Sequence, residues 1–243
     1  MTDQIRQQIV ELTGVHGGLG KVTELDHETV LSGTLAFEAS TDGFETITDR
    51  FEIELSIPYV FPDILPRVKE TAGRIERSYP HINRDGTLCL AVPVEQRRIV
   101  FEQPSLLGFV NRLVIPYLYG YCYWKQHDKY PFNEQEHGEE GIVQHYIDTL
   151  HLADEMAVLA VVSFLFEHGY RGHHSCPCGS GLRVRNCHGP VLRDLHQHHT
   201  RQTLMHDFES VFGVFFKKFE AGQLSFPKLL RTQIRRILDK VKS

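Results

Sequence analysis

Cys89 stands near the end of the stretch Tyr79-Pro80-His81-Ile82-Asn83-Arg84-Asp85-Gly86-Thr87-Leu88-Cys89-Leu90. Asp85-Gly86 is a tight-turn signal, and Leu88 and Leu90 are apolar anchors on either side of the cysteine. The thiol is therefore expected on a short, rigid element within reach of a polar turn. Thiolate is the reactive form of cysteine, and a nearby imidazole favours it or stabilises charge that develops during attack. His81, across the turn, is the candidate for either task. The bland alternative is a small buried hydrophobe, which is how many free cysteines behave.

A second constellation is Ser175-Cys176-Pro177-Cys178-Gly179-Ser180-Gly181-Leu182-Arg183-Val184-Arg185-Asn186-Cys187-His188-Gly189. Three thiolates and an imidazole make a complete tetrahedral zinc set, with no position left for water, so the expected role is structural. Cys176, Cys178, Cys187 and His188 are the expected ligands, and His173 and His174 are possible competitors. A disulfide within Cys-x-Cys is the redox alternative, but it leaves Cys187 and His188 without a task. Cys122, within the aromatic run Tyr119 to Trp124, is expected in the core.

The elements that must position these groups follow from periodicity. Ile5, Ile9 and Val10 suggest a short amphipathic helix over 3–12, stopped by Gly14, Gly17 and Gly18. Residues 29–39 and 45–58 read as two antiparallel strands joined at Thr41-Asp42-Gly43, with Phe51, Ile53, Leu55 and Ile57 on one face. Residues 69–77 suggest a third strand, placed at an edge or started late by Pro62 and Pro66. Residues 78–104 read as one long irregular loop, which in a compact domain is usually functional. Ser105 is the expected N-cap of a helix that Pro116 should kink or end. Helices are then expected over about 139–168, 190–220 and 227–241. The last carries Lys228, Arg231, Arg235, Arg236, Lys240 and Lys242, a solvated face or a dock for an acidic partner.

Two motifs together resemble the ubiquitin-conjugating enzymes. Tyr59 to Val68 looks like their Tyr-Pro-Phe-x-x-Pro segment, and 79–90 looks like their His-Pro-Asn segment followed by Asp-Gly-x-x-Cys-Leu, with the thioester cysteine at Cys89. Lys129-Tyr130-Pro131-Phe132, His137-Gly138, Gly141-Ile142 and a helix bearing Tyr146 further resemble the bacterial branch found in antiphage defence operons of the CBASS type. The resemblance covers roughly residues 1–150. It implies an α+β fold: an N-terminal helix, a small antiparallel sheet, an active-site loop and C-terminal helices. The expected division is a conjugating-enzyme-like domain over 1–170 and a tail over 171–243 whose cysteine pattern resembles the SEC-C zinc knuckle. Aligned on the cysteine, Tyr79 takes the family's histidine, Pro80 its proline and His81 its asparagine. That departure leaves two roles open for His81, oxyanion donor or loop support. His137 either approaches the cysteine or caps a helix.

The resemblance further implies a transferase that holds an activated partner C-terminus as a thioester on Cys89 and passes it to an amine. The partner would be a cGAS-like nucleotidyltransferase (CD-NTase) or a ubiquitin-like protein. No Gly-rich phosphate loop is present, so a separate adenylating enzyme or a pre-activated partner is expected. A docking scaffold without catalysis and a cysteine hydrolase that removes such a conjugate are the alternatives. The net charge of −5 disfavours reliance on nucleic acid, and the longest apolar run, 157–166, is too short to span a bilayer. The expected location is the cytoplasm, with neither nucleic acid nor membrane as partner.

Overall fold

The computed structural model describes residues 1–76, 78–131 and 138–223. It is a mixed α+β structure whose chain divides into two compact units, one of residues 1–91 and 95–134, the other of 92–94 and 135–243. Helices expected to close the N-terminal domain thus belong with the cysteine cluster.

In the first unit, α1 (Asp3–Val15) is capped by the Thr2 hydroxyl, which accepts from the amide of Ile5. It buries Ile5, Gln8, Ile9 and Leu12, and Gln8 Oε1 accepts the amide of Leu106 at 2.9 Å. Four strands form an antiparallel meander in chain order: β1 (Leu19–Glu24), β2 (Glu28–Ala39), β3 (Ile47–Pro58) and β4 (Arg67–Glu70). The register pairs Leu31 with Leu55 and Leu35 with Phe51, so one face of the sheet is apolar and buried. β1 was not expected. Only Leu19 in it is buried, and such an edge strand shows no alternation. Gly18 and Gly33 permit its crossing with β2, since a Cβ on Gly33 would lie 2.2 Å from the Gly18 carbonyl oxygen.

Three further expectations need correction. β4 spans Arg67–Glu70 and not 69–77. Within the supposed irregular loop, Pro93–Glu102 is helix α2, where proline suits a first turn that lacks intrahelical donors. Pro116 does not end the following helix. The Ser105 hydroxyl caps α3 (Leu106–Phe109), a π-turn over Val110–Val114 follows, and α4 (Ile115–His127) continues. The wider π-turn accommodates the missing donor of Pro116. The core gathers Phe51, Phe109, Leu118 and Tyr119. Cys122 lies in it as expected, its thiol donating to Asp49 at 3.3 Å.

In the second unit, the helix expected over 139–168 is two helices, α5 (Gly138–Leu150) and α6 (Glu155–His168), bent by 86°. The break holds His151 at φ 50° and the cap Asp154, whose carboxylate accepts from the amide of Ala157. The helix expected over 190–220 is likewise two, α7 (Gly189–His198) and α8 (Arg201–Glu220). The segment expected at 227–241 lies outside the described residues. Among the described residues no single helix is long and apolar enough to cross a membrane.

Candidate functional site

Cys89 sits on a hairpin built by its own polar residues. Ile82 and Leu88 form an antiparallel bridge. Between them, Gly86 donates to the carbonyl of Asn83 at 2.9 Å and Asn83 donates to that of Thr87 at 2.8 Å. Gly86 has φ 81°, the left-handed conformation that closes such a turn. Asp85 Oδ1 accepts from both the amide and the hydroxyl of Thr87, at 3.0 and 2.7 Å. Those bonds hold the Asp85 carboxyl below the usual carboxylate range. The hairpin is hooked to the sheet where the amide of Leu88 donates to the carbonyl of Val68 at 2.8 Å.

Cys89 then pairs with His81: its amide donates to the His81 carbonyl at 2.9 Å. This bond continues the Ile82–Leu88 bridge by one residue and sets Cys89 opposite His81 across the hairpin. Cys89 is half-buried, and so is His81. Burial pushes the Cys89 thiol up from its ordinary value. That direction is opposite to the one an imidazole favouring the thiolate would give, which leaves stabilisation of developing charge as the other task open to His81.

The His81 ring is held by aromatic neighbours, 5.0 Å from Tyr79 and 5.2 Å from Tyr130 between centroids. Tyr79 is buried and is the hub of this cluster. Tyr117, Tyr121, Trp124 and Tyr130 all lie within 5.0 to 6.2 Å of its ring. Tyr117 is a residue that sequence reasoning placed only as an apolar helix position. Its hydroxyl donates to the His81 carbonyl at 2.9 Å, and burial pushes that phenol up, with Tyr79 and Cys89 adding to the shift. The available signal was its chemistry, since a buried tyrosine needs a partner for its hydroxyl. His137 lies outside the described residues.

In the second unit, the Sγ atoms of Cys176, Cys178 and Cys187 and a ring nitrogen of His188 all lie within 4.8 Å of one another. The backbone folds around them through a bridge between Ser175 and Arg183 and the bond from Cys176 N to Leu182 O at 2.7 Å. The separations are 3.3 Å from Cys176 Sγ to His188 Nδ1, 3.2 Å from Cys187 Sγ to His188 Nδ1 and 3.6 Å from Cys178 Sγ to Cys187 Sγ. Sulfurs about 2.3 Å from a tetrahedral ion would stand roughly 3.8 Å apart, so the donor set fits a metal.

His188 Nε2 meets the carbonyl of Leu150 at 2.8 Å. A proton there leaves Nδ1 free to ligate, the usual arrangement for a metal-bound histidine. Burial pushes Cys176 up to about 12. Cys178 is drawn down to about 6 against its own burial, by Ser180 and by the neighbouring thiols. His173 and His174 are not part of the group; the His174 ring instead packs edge-on or tilted against His168, His173 and Phe164.

No family model, curated protein or solved structure matches the chain.

Tyr146 on α5 donates its hydroxyl to Asp207 Oδ2 at 2.8 Å. His199 Nε2 meets the same oxygen at 3.1 Å, and its Nδ1 meets the carbonyl of Leu195 at 2.7 Å. All three side chains are buried. Asp207 and His199 carry no sequence signal that would have singled them out.

Proposed function

We propose that the protein is a ubiquitin-conjugating-like acyl transferase of bacterial antiviral defence that holds an activated partner C-terminus as a thioester on Cys89. The observation that carries this reading is the half-buried Cys89, paired backbone to backbone with His81 on a turn-locked hairpin beyond β4. The order of α1, a four-stranded antiparallel meander, the proline-rich segment, the cysteine hairpin and helices agrees with that of the conjugating enzymes.

The chemistry suits the environment. The thiol attacks the activated carbonyl, a C–S bond forms and the leaving group departs. An amine then attacks, the C–S bond breaks and the thiol is restored. Desolvation penalises the charged thiolate and leaves the neutral thioester unpenalised. A thiolate of raised pKa is also the stronger nucleophile once formed. His81, opposite Cys89 on the hairpin, is the candidate donor to the oxyanion of either tetrahedral intermediate. The acyl donor is a cGAS-like nucleotidyltransferase or a ubiquitin-like protein, activated by a separate adenylating enzyme. The group Cys176, Cys178, Cys187 and His188 holds zinc in a structural role.

The test is incubation with the activated partner, resolved on non-reducing gels. A thiol-sensitive adduct that Cys89→Ala abolishes supports transfer. Product release without an adduct would assign hydrolysis instead, and binding alone would leave a scaffold.

A further inference from the structure

Several cations elsewhere among the described residues pair with carboxylates. Arg74 holds Asp49, Arg98 lies between Glu95 and Glu102, and Arg112 also reaches Glu102. Lys125 holds Glu76, Lys217 holds Glu139 and Lys218 holds Glu155. The segment 169–206 departs from this. It carries five arginines, no lysine and one carboxylate, Asp194, and that carboxylate faces His198. Among the described residues, no carboxylate pairs with Arg171, Arg183, Arg185 or Arg193. All four are exposed.

Three of these arginines lie on or against one strip of backbone, residues 170–172. Arg193 donates to the hydroxyl of Tyr170 at 3.2 Å and lies over its ring at 4.9 Å. Arg171 is the next residue in the chain, and Arg185 is tied to the same strip of backbone, its amide donating to Gly172 at 3.0 Å. A Cβ on Gly172 would lie 3.0 Å from the Tyr170 hydroxyl and 3.4 Å from Arg185 Cβ.

From this arrangement we infer that the knuckle is a docking surface for the phosphate backbone of duplex nucleic acid, bound without regard to sequence. The overall charge of −5 hides it because the arginines are confined to one segment. Guanidinium forks match phosphate oxygens in pairs. A protein partner would need an apolar centre within the patch, and Leu182 is the one strongly exposed large apolar side chain there. A single strand would need a free aromatic face for its bases, but the Tyr170 face is covered by Arg193.

The experiment is fluorescence anisotropy of the full, metal-loaded chain with a labelled mixed-sequence DNA duplex, repeated over a range of salt. Four phosphate contacts predict a log–log salt slope of about −3 to −4, and an affinity in the range of non-specific binding. The triple variant Arg171→Gln, Arg185→Gln, Arg193→Gln should weaken binding at least about tenfold at low salt and bring the slope to about −1. It should leave metal content and melting unchanged. The matching Arg→Lys triple, which keeps the charge, should retain most of the slope. The inference is overturned if the native chain fails to bind at about 100 µM, the weak end of non-specific binding. It is overturned equally if the Gln triple binds as the native chain does, or if a polyglutamate peptide or a single-stranded RNA binds more tightly than the duplex.

Discussion

The carbonyl of His81 receives two hydrogen bonds at once, from the amide of Cys89 and from the hydroxyl of Tyr117, each at 2.9 Å. A residue from α4 thus fixes the partner strand of the thiol. Tyr117→Phe removes one donor and keeps the ring in place. It should cost about 1 kcal/mol of stability and raise the alkylation rate of Cys89 several-fold, because the hairpin is less firmly held. Thermal melting and iodoacetamide labelling check this. A variant indistinguishable from the native chain in both would show that the second bond does not restrain the hairpin.

The raised Cys89 thiol sets a pH dependence with a definite sign. Burial favours the neutral thiol, so at neutral pH the thiolate fraction, and with it the labelling rate, lies below that of an ordinary cysteine. The rate should keep climbing past pH 9. A plateau reached below that pH would mean that some cation stabilises the thiolate, and the desolvation argument for Cys89 would fail.

How much of this was legible in the sequence depended on whether the signal was local. Phe51, Ile53, Leu55 and Ile57 alternate within one strand, and all four are buried. The four candidate ligands fall within thirteen residues, and they come together. β1 was missed because an exposed edge strand with one buried residue has no period. Pro93 falls within the span that reads as an irregular loop, although proline belongs equally in the first turn of a helix. The α5–α6 bend was missed because both helices are apolar and hydropathy does not report His151 at φ 50°. Tyr117 fitted an apolar stripe, and only its hydroxyl, which periodicity ignores, carries its role.

Metal removal should be more than a local event. His188 joins the ligand group to the carbonyl of Leu150 at the end of α5, so losing the ion also frees a support of that helix. A chelator, or Cys178→Ser, should abolish metal content and lower the melting temperature. Acidification should release the ion as well, because every ligand must be deprotonated to bind and protons compete for the same lone pairs. Metal analysis after dialysis at stepped pH reads this. An unchanged melting curve in the metal-free chain would remove the structural role.

The buried Tyr146–Asp207–His199 network makes the last prediction. His199 Nδ1 faces a carbonyl and must carry a proton, and the 3.1 Å contact from Nε2 to Asp207 Oδ2 needs one more proton between them. Whichever atom holds it, the pair is neutral as a unit, which is the condition for burying both groups. Asp207→Ala removes the shared acceptor and strands the Tyr146 hydroxyl and the imidazole away from water, a loss of about 3–5 kcal/mol. Tyr146→Phe removes a donor and strands nothing charged, so it should cost only about 1 kcal/mol. The combination of Asp207→Ala with His199→Ala should lose less than the two singles together, because the second change removes a group that the first had stranded. Denaturant melts of the three variants and the double complete the cycle. Strict additivity would mean that Asp207 and His199, despite their separation of 3.1 Å, contribute independently.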